Sequence, residues 1–114
     1  MLNNKKNILV SVAWPYANGG IHIGHMAGCY LPADIFARFH RMLGNNVLMV
    51  SGSDAHGTPV VIKSIQENKT PEQLFNFYHK DILKTWDNIG INFDLFTSTP
   101  VSYTHLTLPT ILLV

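Results

Sequence analysis

Apolar and polar positions follow different rhythms along this chain. Ile8 to Ala13 is apolar apart from Ser11, with β-branched Ile8, Val10 and Val12, which predicts a strand covered on both faces, usually parallel. Pro15 cannot donate to a ladder and ends it. From His22 to Leu43 the period becomes helical: Leu31, Ile35, Phe39 and Met42 fall three and four apart, with Asp34, Arg38 and Arg41 on the other side, predicting an apolar inner face and a solvated outer one. Pro32 predicts a kink or split near Tyr30, or a helix that begins with Pro32 in its first turn. Gly44-Asn45-Asn46 reads as a left-handed cap, and Val47 to Val50 as a second buried strand. Strand, helix and strand make a βαβ unit with a right-handed crossover. A helix is predicted from Pro59 to Asn68, and Thr70-Pro71-Glu72-Gln73 starts another with a hydroxyl cap, a proline and a glutamine. Its stripe of Leu74, Phe77, Tyr78, Ile82, Leu83, Trp86 and Ile89 is predicted core up to Gly90; Lys80, Asp81, Lys84 and Asp87 form the solvated side, and His79 reads as a surface residue. A short strand is expected around Phe93 to Phe96. The fold class is therefore α/β, with parallel strands joined by helices.

Composition narrows the possibilities. In 114 residues, 46% hydrophobic and 13% charged, there is room for one core and not for two sizeable domains. Eight basic and seven acidic residues give a formal charge of +1, so no basic field advertises nucleic-acid binding. Cys29 is the only cysteine, which excludes an internal disulfide and a cysteine-based zinc site in this stretch and suits a reducing, cytoplasmic setting. The apolar run after Lys5 and Lys6 is too short for a signal-peptide core or a membrane span. No repeat is present, and residues 101–114 end the chain without a charged residue.

The candidate chemistry lies in two loops. Residues 13 to 25, Ala-Trp-Pro-Tyr-Ala-Asn-Gly-Gly-Ile-His-Ile-Gly-His, leave the first strand, turn, and deliver His22 and His25 at a helix start. Free amide groups there favour an anion, and two histidines three apart can donate to one phosphate. Gly24 lets a flat ring or a phosphate approach the backbone. The run is neither a P-loop, since Gly24 is followed by His25-Met26, nor the dinucleotide fingerprint. The plainer reading is that one histidine caps the helix and the other is solvated. Trp14 and Tyr16 suit either ordinary apolar lining or substrate contact. The second loop, Ser51-Gly52-Ser53-Asp54-Ala55-His56-Gly57-Thr58-Pro59, leaves the next strand at its carboxyl end, where α/β sheets bind ligands, so the two loops are expected to face each other. Asp54 can hold a cationic amine or serve as a cap or turn residue, and His56 is placed in the same pocket.

These two loops, with Ala33-Asp34-Ile35 and Arg38-Phe39-His40-Arg41 between them, resemble the N-terminal part of the methionyl-tRNA synthetase family. His22-Ile23-Gly24-His25 is similar to the HIGH signature of the class I aminoacyl-tRNA synthetases, and the resemblance runs from about Lys6 to about Thr99. It implies the N-terminal half of a Rossmann-like catalytic domain over residues 1–100, with 101–114 a tail outside the family. The activity implied is methionine–tRNA ligation: ATP-dependent formation of methionyl adenylate, then transfer to tRNA(Met). His22 and His25 would act on the ATP phosphates, with Gly20 and Gly24 in the ATP site and Mg²⁺ as the counter-ion. Asp54 would hold the amino group of L-methionine, with Ala13, Trp14, Tyr16 and His56 along the pocket; the family often has leucine where Trp14 stands. The isoleucyl, leucyl and valyl relatives share the first motif, but their second resembles Gly-Trp-Asp-Cys-His-Gly-Leu-Pro, whereas Ser53, Ala55 and Thr58 follow the methionyl form. A zinc-bearing insertion, a KMSKS loop and an anticodon-reading domain belong to the longer family members and are not seen in this stretch. Alone, the polypeptide is expected to be poorly soluble and inactive; the rival reading is a stand-alone nucleotide-binding module.

Overall fold

The structure is a computed structural model and describes residues 4–100; the expected boundary after residue 100 and the tail beyond it lie outside the described residues. Three strands, β1 (Asn7–Ser11), β2 (Asn46–Ser53) and β3 (Leu95–Ser98), form a parallel sheet in the order β1-β2-β3. Both crossovers step across the sheet in the same direction, so right-handed connections put their helices on one face. That corrects the expectation of strands covered on both sides. Val12, Met49 and Ser51 are buried beneath the helices, while Leu9, its register partner Leu48, and Leu95 beside Val50 are 67%, 59% and 55% exposed. The strands therefore alternate between a covered and an open face.

The chain from Ile23 to Met42 is helical throughout: α1 (Ile23–His25), a π-helical turn (Met26–Tyr30) and α2 (Leu31–Met42). Pro32 sits in the first turn of α2, and the amide of Leu31 closes a wide turn onto the Met26 carbonyl. The missing proline donor is thus absorbed by a π-bulge, the device that commonly accommodates irregularity in a long helix.

The orientation of α2 reverses the sequence-based expectation. Its docked face carries Ala37, fully buried, and Asp34, 5% exposed, whereas Leu31, Ile35, Phe39 and Met42 are exposed. The polar face docks because the connection from α4 (Pro71–Ile89) to β3 supplies its partners. Arg38 Nε pairs with Asp34 Oδ2 at 2.7 Å, and its Nη2 donates to the Gly90 carbonyl. Arg41 Nη2 meets Asp94 Oδ2 at 2.8 Å, the same oxygen that accepts the Met49 amide at 2.7 Å. Amphipathic period shows that two faces differ; the partners decide which one turns inward.

Local signals set α4 closely. Thr70 and Gln73 form a reciprocal capping box, and Gly90 ends the helix in the left-handed region at φ 72°. Its buried residues are Leu74, Phe75, Ile82 and Trp86; Phe77, expected in the core, is exposed, with the Lys69 ammonium 4.8 Å from its ring centroid. Leu74, Ile82 and Trp86 are buried as the stripe predicts, while Phe75 takes the place expected of Phe77. Leu83 and Ile89, from the same stripe, are also exposed. Trp86 packs on Tyr30 with ring centroids 4.5 Å apart, within a core of Val12, Ala37, Met49, Ile82 and Ile91. Between β2 and α4, α3 (Thr58–Gln66) packs on α4.

Candidate functional site

Beyond β1 the chain stays paired with β2 for several residues. Val12 donates to the Val50 carbonyl, Asp54 N–H to Pro15 and Ala17 N–H to Asp54, the last two forming a parallel bridge between Tyr16 and Asp54. The two loops thus run side by side. The carbonyl of Ala13 accepts from Tyr30 Oη at 2.9 Å and Ser51 Oγ at 3.2 Å. Burial, with a smaller contribution from Cys29, pushes the Tyr30 phenol above its ordinary range, so it remains a neutral donor. In front of this frame lies a cavity of about 470 Å³, lined by Ala13, Trp14, Tyr16, Gly20, His22 and His25 among others.

The histidines hold each other in place. His22 Nδ1 accepts the amides of Gly24 at 3.1 Å and His25 at 3.3 Å, while His25 Nδ1 accepts the amide of His22 at 3.4 Å. The rings stack with centroids 3.7 Å apart and planes 17° from parallel. A backbone amide can only donate, so both Nδ1 atoms are unprotonated acceptors, and in the neutral rings the proton sits on Nε2. Desolvation, then the proximity of His22, lowers the pKa of His25, favouring its neutral form. The plainer reading, with one histidine capping and the other solvated, gives way to a mutual cap: each ring caps with one nitrogen and keeps an N–H donor on the other. One expectation changes. The Gly24 and His25 amides already serve His22, so the donors this turn presents are the imidazole N–H groups rather than these helix-start amides. A Cβ at Gly24 would sit 3.0 Å from His22 Cε1, so the flat ring that approaches this glycine is the neighbouring histidine's own.

Asp54 lies next to Tyr16 across the bridge, but its side chain is already committed in part. Oδ1 accepts from the His56 amide at 2.9 Å and from Thr99 Oγ1 at 3.1 Å. His56 is not brought to the first cavity; it lines a second one, of about 390 Å³, with Pro71, Glu72, Phe75, Asn76 and Pro100 among its neighbours. Sequence reading also missed His79. It is half-buried, stacked on Phe75 and bonded through Nδ1 to the fully buried Ser53 Oγ at 2.5 Å; desolvation lowers its pKa. Its position four residues after Phe75 and three before Ile82, on the buried stripe, was the available signal.

Gly52 carries the closest approach in the site. A Cβ there would stand 2.8 Å from the Thr97 carbonyl oxygen and 2.9 Å from two carbons of the Trp14 ring. Because one obstacle is backbone, Gly52→Ala is expected to lower stability by roughly 1–3 kcal/mol and to change the indole emission. Chemical denaturation followed by fluorescence measures both; an unchanged midpoint and spectrum would show that the strand ends shift freely.

The family described as tRNA synthetases class I (M) matches residues 8–111. The chain is 61% identical over 93 residues to the methionine–tRNA ligase of Roseiflexus sp. strain RS-1 and 60% identical over 94 residues to that of Thermomicrobium roseum. Each alignment covers 82% of this chain and 16% of the relative, so the chain spans about a sixth of the length of these proteins. Among solved structures, a Mycobacterium tuberculosis methionyl-tRNA synthetase bound by methionyl-adenylate superposes with a TM-score of 0.78 at 24% identity, over 86% of this chain and 19% of that one. A second, in complex with the same adenylate, gives 0.76 at 26% identity over 87% and 18%.

Proposed function

We propose, from the premise that this chain belongs to the tRNA synthetases class I (M) family, that it forms the first half of the ATP- and methionine-binding floor of a methionine–tRNA ligase. The observation that carries this reading is the reciprocal histidine cap, which leaves two neutral Nε2–H donors on residues lining one cavity. Attack of a methionine carboxylate on the α-phosphorus of ATP spreads charge over phosphate oxygens and needs positioning and charge stabilisation rather than covalent help. His22 and His25 supply fixed donors for it, and Gly20 lines the same cavity beside them. Ala13, Trp14 and Tyr16 form the methionine side of the floor, with Asp54 beside Tyr16 to take the ammonium.

Among the described residues no group of three or more His, Cys, Asp or Glu stands close enough to hold a metal ion. Mg²⁺ in this reading is carried by the triphosphate, and zinc belongs to other parts of longer relatives. The adenylate would then pass to tRNA(Met), recognised mainly by regions outside this stretch. None of the described helices is long and apolar enough to cross a membrane; a cytoplasmic setting follows from the role in translation.

The test is amino-acid-dependent exchange of pyrophosphate into ATP, run with a full-length ligase carrying this segment. Exchange is expected with methionine. Exchange that follows isoleucine, leucine or valine instead, or none with any amino acid, would overturn the assignment.

A further inference from the structure

The bridge between Tyr16 and Asp54 has a continuation on the other side. Register pairs Ser53 with Ser98, so the next position of β2, Asp54, falls beside the next of the β3 chain, Thr99. Tyr16, Asp54 and Thr99 thus form one row across the three strand ends, with the carboxylate in the middle. Thr99 is built into this row three times. Its amide donates to the Ser53 carbonyl at 3.2 Å, its Oγ1 accepts the Ala55 amide at 2.9 Å, and the same oxygen lies 3.1 Å from Asp54 Oδ1. The Ala55 amide can only donate to this oxygen, and the hydroxyl in turn donates to the carboxylate.

We propose that Thr99 is a positioning residue for substrate-amine binding: it turns Asp54 so that one carboxylate oxygen is spent inside the loop and the other is presented to the ligand ammonium. Oδ1 receives two donors, the Thr99 hydroxyl and the His56 amide. Among the described residues no hydrogen bond reaches Oδ2. A carboxylate free to rotate would share its charge between loop and ligand, whereas one held at Oδ1 offers a fixed acceptor. The hydroxyl also clamps the amide of Ala55, so the same group sets both the rotamer and the backbone that carries it. This inference rests on the reading of Asp54 as the amine partner, and its test separates the two.

Methionine-dependent exchange by full-length ligase carrying this segment should be compared for Thr99→Val, which keeps the branched shape without the hydroxyl, and Thr99→Ser, which keeps the hydroxyl. Two inhibitors divide the substrate: L-methioninol has the ammonium without the carboxylate, and 4-(methylthio)butanoate the carboxylate without the ammonium. Thr99→Val is expected to raise the KM for methionine and the inhibition constant of methioninol by roughly tenfold or more. The KM for ATP and the inhibition by the butanoate should stay within about twofold, and Thr99→Ser should recover most of the loss. Should the valine variant fail to fold, Thr99→Cys, with its weaker donor, serves in its place and should fall between serine and valine.

Asp54→Asn is the control. If it leaves the methionine KM unchanged, the reading of Asp54 is wrong. If it raises that KM while Thr99→Val does not, Asp54 stands and the role of Thr99 is overturned. Equal loss of ATP, butanoate and methioninol binding in the Thr99 variants would also overturn it, because that is the signature of a scaffold residue.

Discussion

His22→Asn, introduced into a full-length ligase carrying this segment, is expected to lower methionine-dependent pyrophosphate exchange by about 10²- to 10³-fold while leaving the thermal midpoint close to that of the parent. Two functions of one ring are separated by this change. His22 Nδ1 caps the Gly24 and His25 amides, and asparagine offers a side-chain oxygen at the same reach, a favourable residue for that position. What asparagine cannot reproduce is the Nε2–H on the far side of the ring. His22→Ala removes both and should add a loss of about 1 kcal/mol in stability. Similar exchange rates for the asparagine variant and the parent would take the imidazole donor out of the reaction.

Acid should act on the same pair. His25 has its folded-state pKa below 6.5, first through desolvation and then through His22. Below 6.5 the unfolded chain therefore binds the proton more readily than the folded one. The stabilising contribution is complete above that value and is lost as the pH falls through the lowered native pKa. Protonation at Nδ1 would also remove the acceptor for the His22 amide.

What was legible in the sequence was whatever is decided locally. The limits of α4 follow from Thr70, Pro71, Gln73 and Gly90, four residues whose capping chemistry depends on their immediate neighbours. The parallel βαβ order was equally readable, because two apolar runs flanking a helical period leave few connections. The face of α2 was not. Asp34, Arg38 and Arg41 read as a solvated side until Gly90 and Asp94, more than fifty residues later, arrive to receive the arginines. The site divides in the same way. His22 and His25 were placed together by spacing, but the amides that fix their tautomers and the Thr99 hydroxyl on Asp54 appear only once the chain is folded. Asp54 and His56 are both expected in the pocket because their loop leaves the carboxyl end of a strand; neither lines the histidine cavity, Asp54 lying beside Tyr16 and His56 beside α4 after the turn at Gly57.

The 114-residue polypeptide by itself is expected to self-associate, and substituting Leu9, Leu48 and Leu95 by threonine should shift it strongly toward monomer in sedimentation velocity. The three leucines lie on the open face of the sheet, each more than half exposed. Covering them would be worth roughly 3–5 kcal/mol in total. Beside them, β1 is an outer strand of the described sheet, with backbone groups along one side unpaired within it, and an apolar face next to an unpaired edge is a template for further strands. The outer stripe of α2 is also apolar, with Met42 85% exposed, but a helix has no free ladder to extend and offers only side-chain contact. Substituting Ile35, Phe39 and Met42 by glutamine is therefore expected to reduce association less than the threonine set does. Threonine introduces the β-branching that strands favour, so loss of the fold is not the anticipated cause of any change. A parent chain that sediments as a monomer at micromolar concentration would overturn the argument from the open face. A glutamine set that outperforms the threonine set would move the sticky surface from the sheet to α2.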